Sequence, residues 1–379
     1  MDIVIKNGRV YDPYNNIDQI TDIAIDNGKI VKIGTVTDEA AKFIDAEGCV
    51  VTPGFIDLHT HLWPFNDFGM PAEATCFPSC VTTAVEAGSS GWSNFELNHI
   101  FTSYSKLTIH RFVNVSVSGL PSIGKVDEID LRILGGKGKT RIHRLFEKYP
   151  GEIEGLKINV STEFFAGRGK VLLEETIKLA EELNTRLMVH ITEPELPTAE
   201  VLSMLRKGDI VSHMYHGRGS SNIIGEDGKV LPEAWAARER GVIFDVANAR
   251  AHFAFATAEP AMAEGFLPDT ISTDLTNMSA YKKPFSFSLP FIMSKFIAMG
   301  MSLEQVIDCV TINPANVLNL HDGTGTLTVG KKADVAIIKV LEKDVEFGDH
   351  QGRSILGHQL IKPVATIKEG EFVYRDIEF

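Results

Sequence analysis

The sequence predicts an α/β protein, a parallel (β/α)8 barrel joined to a small β-sandwich built from both chain ends. Three observations predict it. Eight short apolar runs recur through the middle of the chain, each followed by a polar loop and a helix-like segment. The first fifty and last sixty residues instead carry strand patterns without helices. Histidines, a lysine and an aspartate end the apolar runs, the level at which such a barrel carries its active site.

The elements follow in order. "DIVIKNGRVYD" alternates around Asn7-Gly8 and "IAIDNGKIVKIG" around Asn27-Gly28. Asn-Gly between alternating strands predicts hairpins, because both residues tolerate positive φ. The eight barrel runs are "GFIDLHTH", "TTAVEAGSSG", "RFVNVSVSG", "IEGLKINVS", "RLMVHITE", "DIVSHMYHG", "VIFDVANA" and "TISTDLTN". "GGKGKTR" at 135–141 reads as a basic, Gly-rich loop that lacks the full phosphate-loop pattern. Leu173, Ile177, Ala180 and Leu183 form an apolar stripe at helical spacing between the fourth and fifth runs. Ser302 and Gln305 predict a capping box, with Leu303, Val306, Ile307 and Val310 on one face of the helix it starts. "KKADVAIIKV" is a strand, and "VATIKEGEFVYRD" a hairpin turning at Glu369-Gly370. These readings put the sandwich at 1–53 and 322–379 and the barrel at 54–321. A doubly wound sheet is the alternative.

Composition narrows the function. The 379 residues are 44% hydrophobic and carry a net charge of −13. An acidic surface repels phosphate backbones and anionic lipid, so neither nucleic acid nor membrane is the expected partner. "MDIVIKNGRV" shows no secretory signal, and no run is long and apolar enough to span a bilayer. The expectation is a cytoplasmic enzyme with a small-molecule substrate, possible as a homo-oligomer. Cys49, Cys76, Cys80 and Cys309 are scattered and read as buried free thiols.

The strand ends carry the chemistry. Strand one ends in His59-Thr60-His61, and residues two apart on a strand face the same way. Strand four offers Lys157, strand five His190, strand six His213 and strand eight Asp274. A lone strand histidine is usually a satisfied core residue. Four at one topological level reverse that expectation and point to zinc or another divalent ion. Lys157 reads either as a lysine paired with a carboxylate or as a carbamate. A formal count favours the second: two divalent ions, Asp274, a hydroxide and an ammonium would leave the site at +3. A carbamate on Lys157 lowers this to +1 and adds two oxygens able to bridge the metals.

Taken with the return strand "GTGTLTVGKKADVAII", these motifs resemble the amidohydrolase superfamily of metal-dependent hydrolases. "GLKINVS", "LMVHI" and "KGDIVSHMYHG" are similar to its dihydroorotase-like, deacetylase branch. The resemblance implies that His59, His61 and Asp274 hold one metal, that His190 and His213 hold the second, and that carboxylated Lys157 bridges both. It implies hydrolysis of an amide or ester through a metal-bridging hydroxide, with Asp274 moving the proton. The chain departs from the pattern at His216-Gly217 and Asn248-Ala249, positions expected to face substrate. "AGSSG" has no cysteine at the end of strand two, which argues against a cysteine-bridged centre.

Tyr215, His216, Arg218, Asn248, Arg250 and His252 are the substrate-binding candidates, and the arginines favour a carboxylate-bearing substrate. The rival is a mononuclear nucleobase deaminase, suggested by His190-x-x-Glu193. A non-catalytic scaffold is a further rival, but scaffolds of this kind lack the metal ligands that are present here.

Overall fold

The computed structural model describes residues 1–122, 137–162 and 167–379. The N-terminal end forms β1 (Ile3–Asp12), β2 (Ile17–Asp26), β3 (Lys29–Ile33), β4 (Lys42–Asp45) and β5 (Val50–Pro53). The C-terminal end adds β13 (Val335–Gly348), β14 (Ser354–Lys368) and β15 (Glu371–Arg375). All eight belong to one sheet, ordered β15-β14-β13-β5-β1-β2-β3 with β4 also on β1. β5 joins the two ends, antiparallel to β13 and parallel to β1. Ile3, Ile5, Ile23 and Ile25 from one end share a buried core with Val335, Ile337 and Ile367 from the other.

One of the two Asn-Gly signals makes a hairpin and the other does not. Asn27-Gly28 turns β2 into β3 with φ of 49° and 72°. β1 instead runs through Asn7-Gly8 as a bulge, with Asn7 at φ 62° and a register shift between Ile5 and Gly8. The reason is a change of parallel neighbour, since Ile3–Lys6 pair with β4 and Arg9 and Val10 with β5. Gly8 is required there, because a Cβ would meet Val51 Cγ2 at 2.6 Å.

The barrel strands are β6 (Phe55–Thr60), β7 (Val81–Gly91), β8 (Thr108–Asn114), β9 (Ile153–Asn159), β10 (Arg186–His190), β11 (Ile210–Ser212) and β12 (Ile243–Asp245). They pair in sequence order, all parallel. The expected eighth strand is not a ladder. "TISTDLTN" closes the circle through isolated parallel bridges, Thr270 to Asp245 and Leu275 to Thr60. Its hydroxyls serve buried carboxylates instead: Thr270 and Ser272 donate to Asp245, and Thr273 donates to Asp57.

The helix Gly169–Glu182 buries Leu173 and Ala180, two members of the predicted stripe. Both hydrogen bonds of the Ser302–Gln305 capping box are present at the start of Leu303–Asp308. "GGKGKTR" differs from expectation. Lys137 opens a helix to Lys148 whose Ile142 and Leu145 are buried, and tertiary packing outweighs the helix cost of Gly138. Gly135 and Gly136 lie outside the described residues. All four cysteines are buried and free, and Glu369-Gly370 turns β14 into β15. No described helix is long and apolar enough to cross a membrane.

The long β13–β14 hairpin reaches back over the barrel. Asp349 Oδ2 accepts from Phe255 N at 2.9 Å, and Gln351 Nε2 donates to the Gly217 carbonyl at 3.1 Å. The terminal sheet thereby touches the loops after barrel strands six and seven.

Candidate metal centre

β6 delivers His59 and His61 to one end of the barrel, both almost fully buried. Each uses Nδ1 outward and Nε2 inward. His59 Nδ1 lies 3.2 Å from Ser212 Oγ, and His61 Nδ1 lies 2.8 Å from Ser89 Oγ. Their Nε2 atoms face Asp274 Oδ1 at 3.6 and 3.0 Å. His213 Nδ1 sits 2.7 Å from the Ala247 carbonyl, which only an N–H can serve, so Nε2 carries the free lone pair. That lone pair points at His190 Nδ1, 2.8 Å away. His190 uses its other nitrogen on Thr192 Oγ1. Lys157 Nζ completes the group, 3.4 Å from His59 Nε2.

Burial and neighbouring charge set the protonation of these groups differently. Burial and then neighbouring positive groups hold His59, His190 and His213 well below the ordinary imidazole range, so all three rings are neutral. Burial also opposes protonation of His61, but its contacts with Asp274 and Glu86 outweigh it and lift the ring to about 9. Burial pulls Lys157 down to about 8, toward the free amine that reacts with CO2. Among the described residues no carboxylate makes a direct ion pair with Lys157 Nζ, although Asp274 and Asp245 favour its charged form from farther away. Ligand atoms of His59, His213 and Asp274 lie within 4.8 Å of one another, as do those of His190, His213 and His252. Neutral imidazole lone pairs converging on a buried carboxylate fit one or more divalent ions.

Further residues build the site. Asp57 Oδ1 accepts from Thr273 N at 3.0 Å, fixing the turn that presents Asp274. Glu86 accepts from Leu62 N at 2.7 Å and from Ser89 N at 2.9 Å, tying the backbone behind His61. Asp245 sits 3.9 Å from His59 Nδ1. The sequence signal for all three was present: a carboxylate inside an otherwise apolar strand run. Gly88, at φ 79°, admits Lys157, because a Cβ there would stand 2.7 Å from Lys157 Cβ. Asp274, His213, Glu193, Ala247 and Ala249 are non-glycine residues at φ between 39° and 66°, so backbone strain gathers at this end of the barrel.

A cavity of about 360 Å³ opens over these groups. Arg218, Arg250 and His252 line it, as expected for residues that meet substrate. Arg218 donates to Glu193 Oε1 at 3.1 and 3.2 Å. His252 goes deeper than expected, with Nε2 at 3.8 Å from Asp274 Oδ2. Tyr215, His216 and Asn248 do not line the cavity, which corrects the expectation for them. Tyr215 is fully buried and donates to the Phe266 carbonyl at 2.7 Å. His216 is fully buried within the loop after β11. Asn248 accepts from the buried Lys295 Nζ at 2.8 Å. Side chains leaving a tight loop alternate in direction, and a linear sequence does not show which way each one turns.

The Amidohydrolase family model matches residues 140–370. A deacetylase of Agrobacterium fabrum is 34% identical over 340 residues, covering 88% of this chain and 81% of that protein. A dihydroorotase of Aquifex aeolicus is 25% identical, covering 99% of both chains. Among solved structures, one titled an adenine deaminase is 26% identical with TM-score 0.88, covering 99% of this chain and 100% of the other. A dihydroorotase structure is 30% identical with TM-score 0.87, covering 99% of both. The chain belongs to the amidohydrolase family and is a hydrolytic enzyme acting on C–N bonds.

Proposed function

We propose that this protein uses two divalent metal ions to hydrolyse the amide or ester of a small carboxylate-bearing compound, a deacetylase-like reaction. The observation that carries the reading is the convergence of His59, His61, His190, His213, Lys157 and Asp274 beneath one cavity. His59, His61 and Asp274 would hold one ion, His190 and His213 the other, and Lys157 as a carbamate would serve both. When bound, the ions supply Lewis acidity, bringing water toward neutral acidity and polarising the scissile carbonyl.

The chain's own groups do the rest. Asp274 stands at the centre of the cluster, with Oδ1 toward His61 and Oδ2 toward His252. It takes the proton of the attacking water and returns it to the leaving nitrogen or oxygen, which requires only hydrogen-bond reach to both. Arg250 is exposed and makes no ion pair among the described residues, so its guanidinium is free to hold a substrate carboxylate. Val115, Ile158 and Phe68 give the cavity an apolar wall that limits water.

The deaminase reading needs Glu193 to serve a heterocycle, and Glu193 is already engaged by Arg218. The test is a screen of zinc-loaded protein against N-acyl amino acids, cyclic amides, acetylated hydroxy acids, adenine and cytosine. Turnover of an acyl compound with a free carboxylate supports the proposal. Ammonia release from a nucleobase with every acyl compound inert overturns it. Metal content near two per chain is expected by elemental analysis, and full activity at a stable value near one would favour the mononuclear alternative.

A further inference from the structure

We infer that the outer face of the helix Phe95–Thr102 is the contact surface for a second copy of this chain. The helix follows β7 and turns Phe95, Asn98 and Thr102 inward, so two of its three buried side chains are polar. Its outer face is the more apolar one. Leu97, Ile100 and Phe101 are 48%, 52% and 46% exposed, and Tyr104, just past the last turn, is 88% exposed. These positions follow the i, i+3, i+4, i+7 spacing of a helix face that packs against a partner. A second element extends the patch. Phe65, 63% exposed in the loop after β6, lies against Phe101 with ring centroids 4.3 Å apart.

Area and charge point to self-association. At roughly 200 Å² for each aromatic side chain, Phe65, Phe101 and Tyr104 together expose roughly 400 Å². Leu97 and Ile100 add to this, reaching the top of the range for a monomer's largest apolar patch, roughly 300–600 Å². It is also more than half of the roughly 800 Å² that each partner contributes to a standard interface. The charges at the rim are already satisfied within the chain, with Glu96 paired to Lys148 and His99 Nε2 2.6 Å from Glu152. These pairs leave the centre of the patch apolar, which suits an equally apolar face. A two-fold axis that lays this helix against its symmetry mate covers the same face on both copies.

The proposal does not depend on the substrate or the metal. Sedimentation velocity on the full chain, across the micromolar range, is expected to give twice the chain mass. Tyr104→Asp, a change at a nearly fully exposed side chain, should shift the species toward half that mass with an unchanged circular dichroism spectrum. Phe101→Asp should do the same. Ile100→Cys should form a disulfide-linked dimer under oxidation, since all four native cysteines are buried. A wild-type protein that stays monomeric across the range overturns the inference. So does a dimer that survives both aspartate variants, because another surface would then hold it. Binding to phosphatidylcholine vesicles without self-association would also overturn it.

Discussion

Asp274 sits at φ 50°, a left-handed backbone conformation that an aspartate adopts at a cost. Its neighbours keep it there: Asp274 N donates to the His59 carbonyl at 2.7 Å, and Asp57 holds Thr273. Asp274→Asn preserves size and one potential ligand oxygen but cannot accept the proton. Turnover should fall on the order of a hundredfold or more while metal content is retained. Near-normal turnover would mean that another group moves the proton. Ser89 and Glu86 support a second prediction. They orient His61 from behind, and partners of this kind typically change metal affinity roughly 10- to 100-fold. Ser89→Ala should therefore weaken zinc in a chelator competition without unfolding the protein, and unchanged affinity would remove Ser89 from this role. Arg250→Met should cut kcat/KM by roughly tenfold with an acidic substrate and much less with its neutral amide.

At the scale of elements, the barrel depends on places where two segments approach closely. Gly88 on β7 leaves room for Lys157 on β9 and takes φ 79°. Gly88→Ala should strain the backbone and displace Lys157, with loss of activity exceeding loss of stability. Comparison of melting temperature with metal-loaded activity checks this. Lys295, in the helix Leu289–Ala298, donates to Asn248 Oδ1, to the Phe285 carbonyl at 3.1 Å and to the Gly348 carbonyl at 3.2 Å. It thus ties the loop carrying Arg250 and His252 to the β13–β14 hairpin. Lys295→Met leaves buried acceptors unpaired, so a loss of about 2–4 kcal/mol is expected in denaturant unfolding. A stability change below about 1 kcal/mol would show that water replaces the ammonium without loss.

For the whole molecule, five ligand-type residues of the centre come from five separate barrel segments, with His61 a second from β6. An ion held among them would link these segments at one end of the barrel and should stabilise the folded state by mass action. Removing metal with a chelator should lower the melting temperature, and added zinc should restore it. An unchanged melting temperature after complete removal would mean that the barrel closes without help from the site.

Much of this architecture was legible in the chain. Period-2 apolar runs, a His-x-His strand end and an Asn27-Gly28 turn are local, because strand geometry alone decides which side chains share a face. The Ser302 capping box is local in the same way. What needed the tertiary structure is non-local. Asn7-Gly8 looks like a turn until β4 and β5 are seen to divide β1 between them. The eighth run looks like a strand until its hydroxyls are seen to serve Asp57 and Asp245. Tyr215 and Asn248 look like mouth residues until Phe266 and Lys295 claim them. The sequence by itself determined the fold class, the ligand-type side chains and the level in the barrel at which they stand. Only the folded chain decided which nitrogen of each imidazole faces inward, that His252 joins the cluster, and which loop side chains reach the cavity. Those choices rest on partners far away in sequence, brought within hydrogen-bond distance by closure of the barrel.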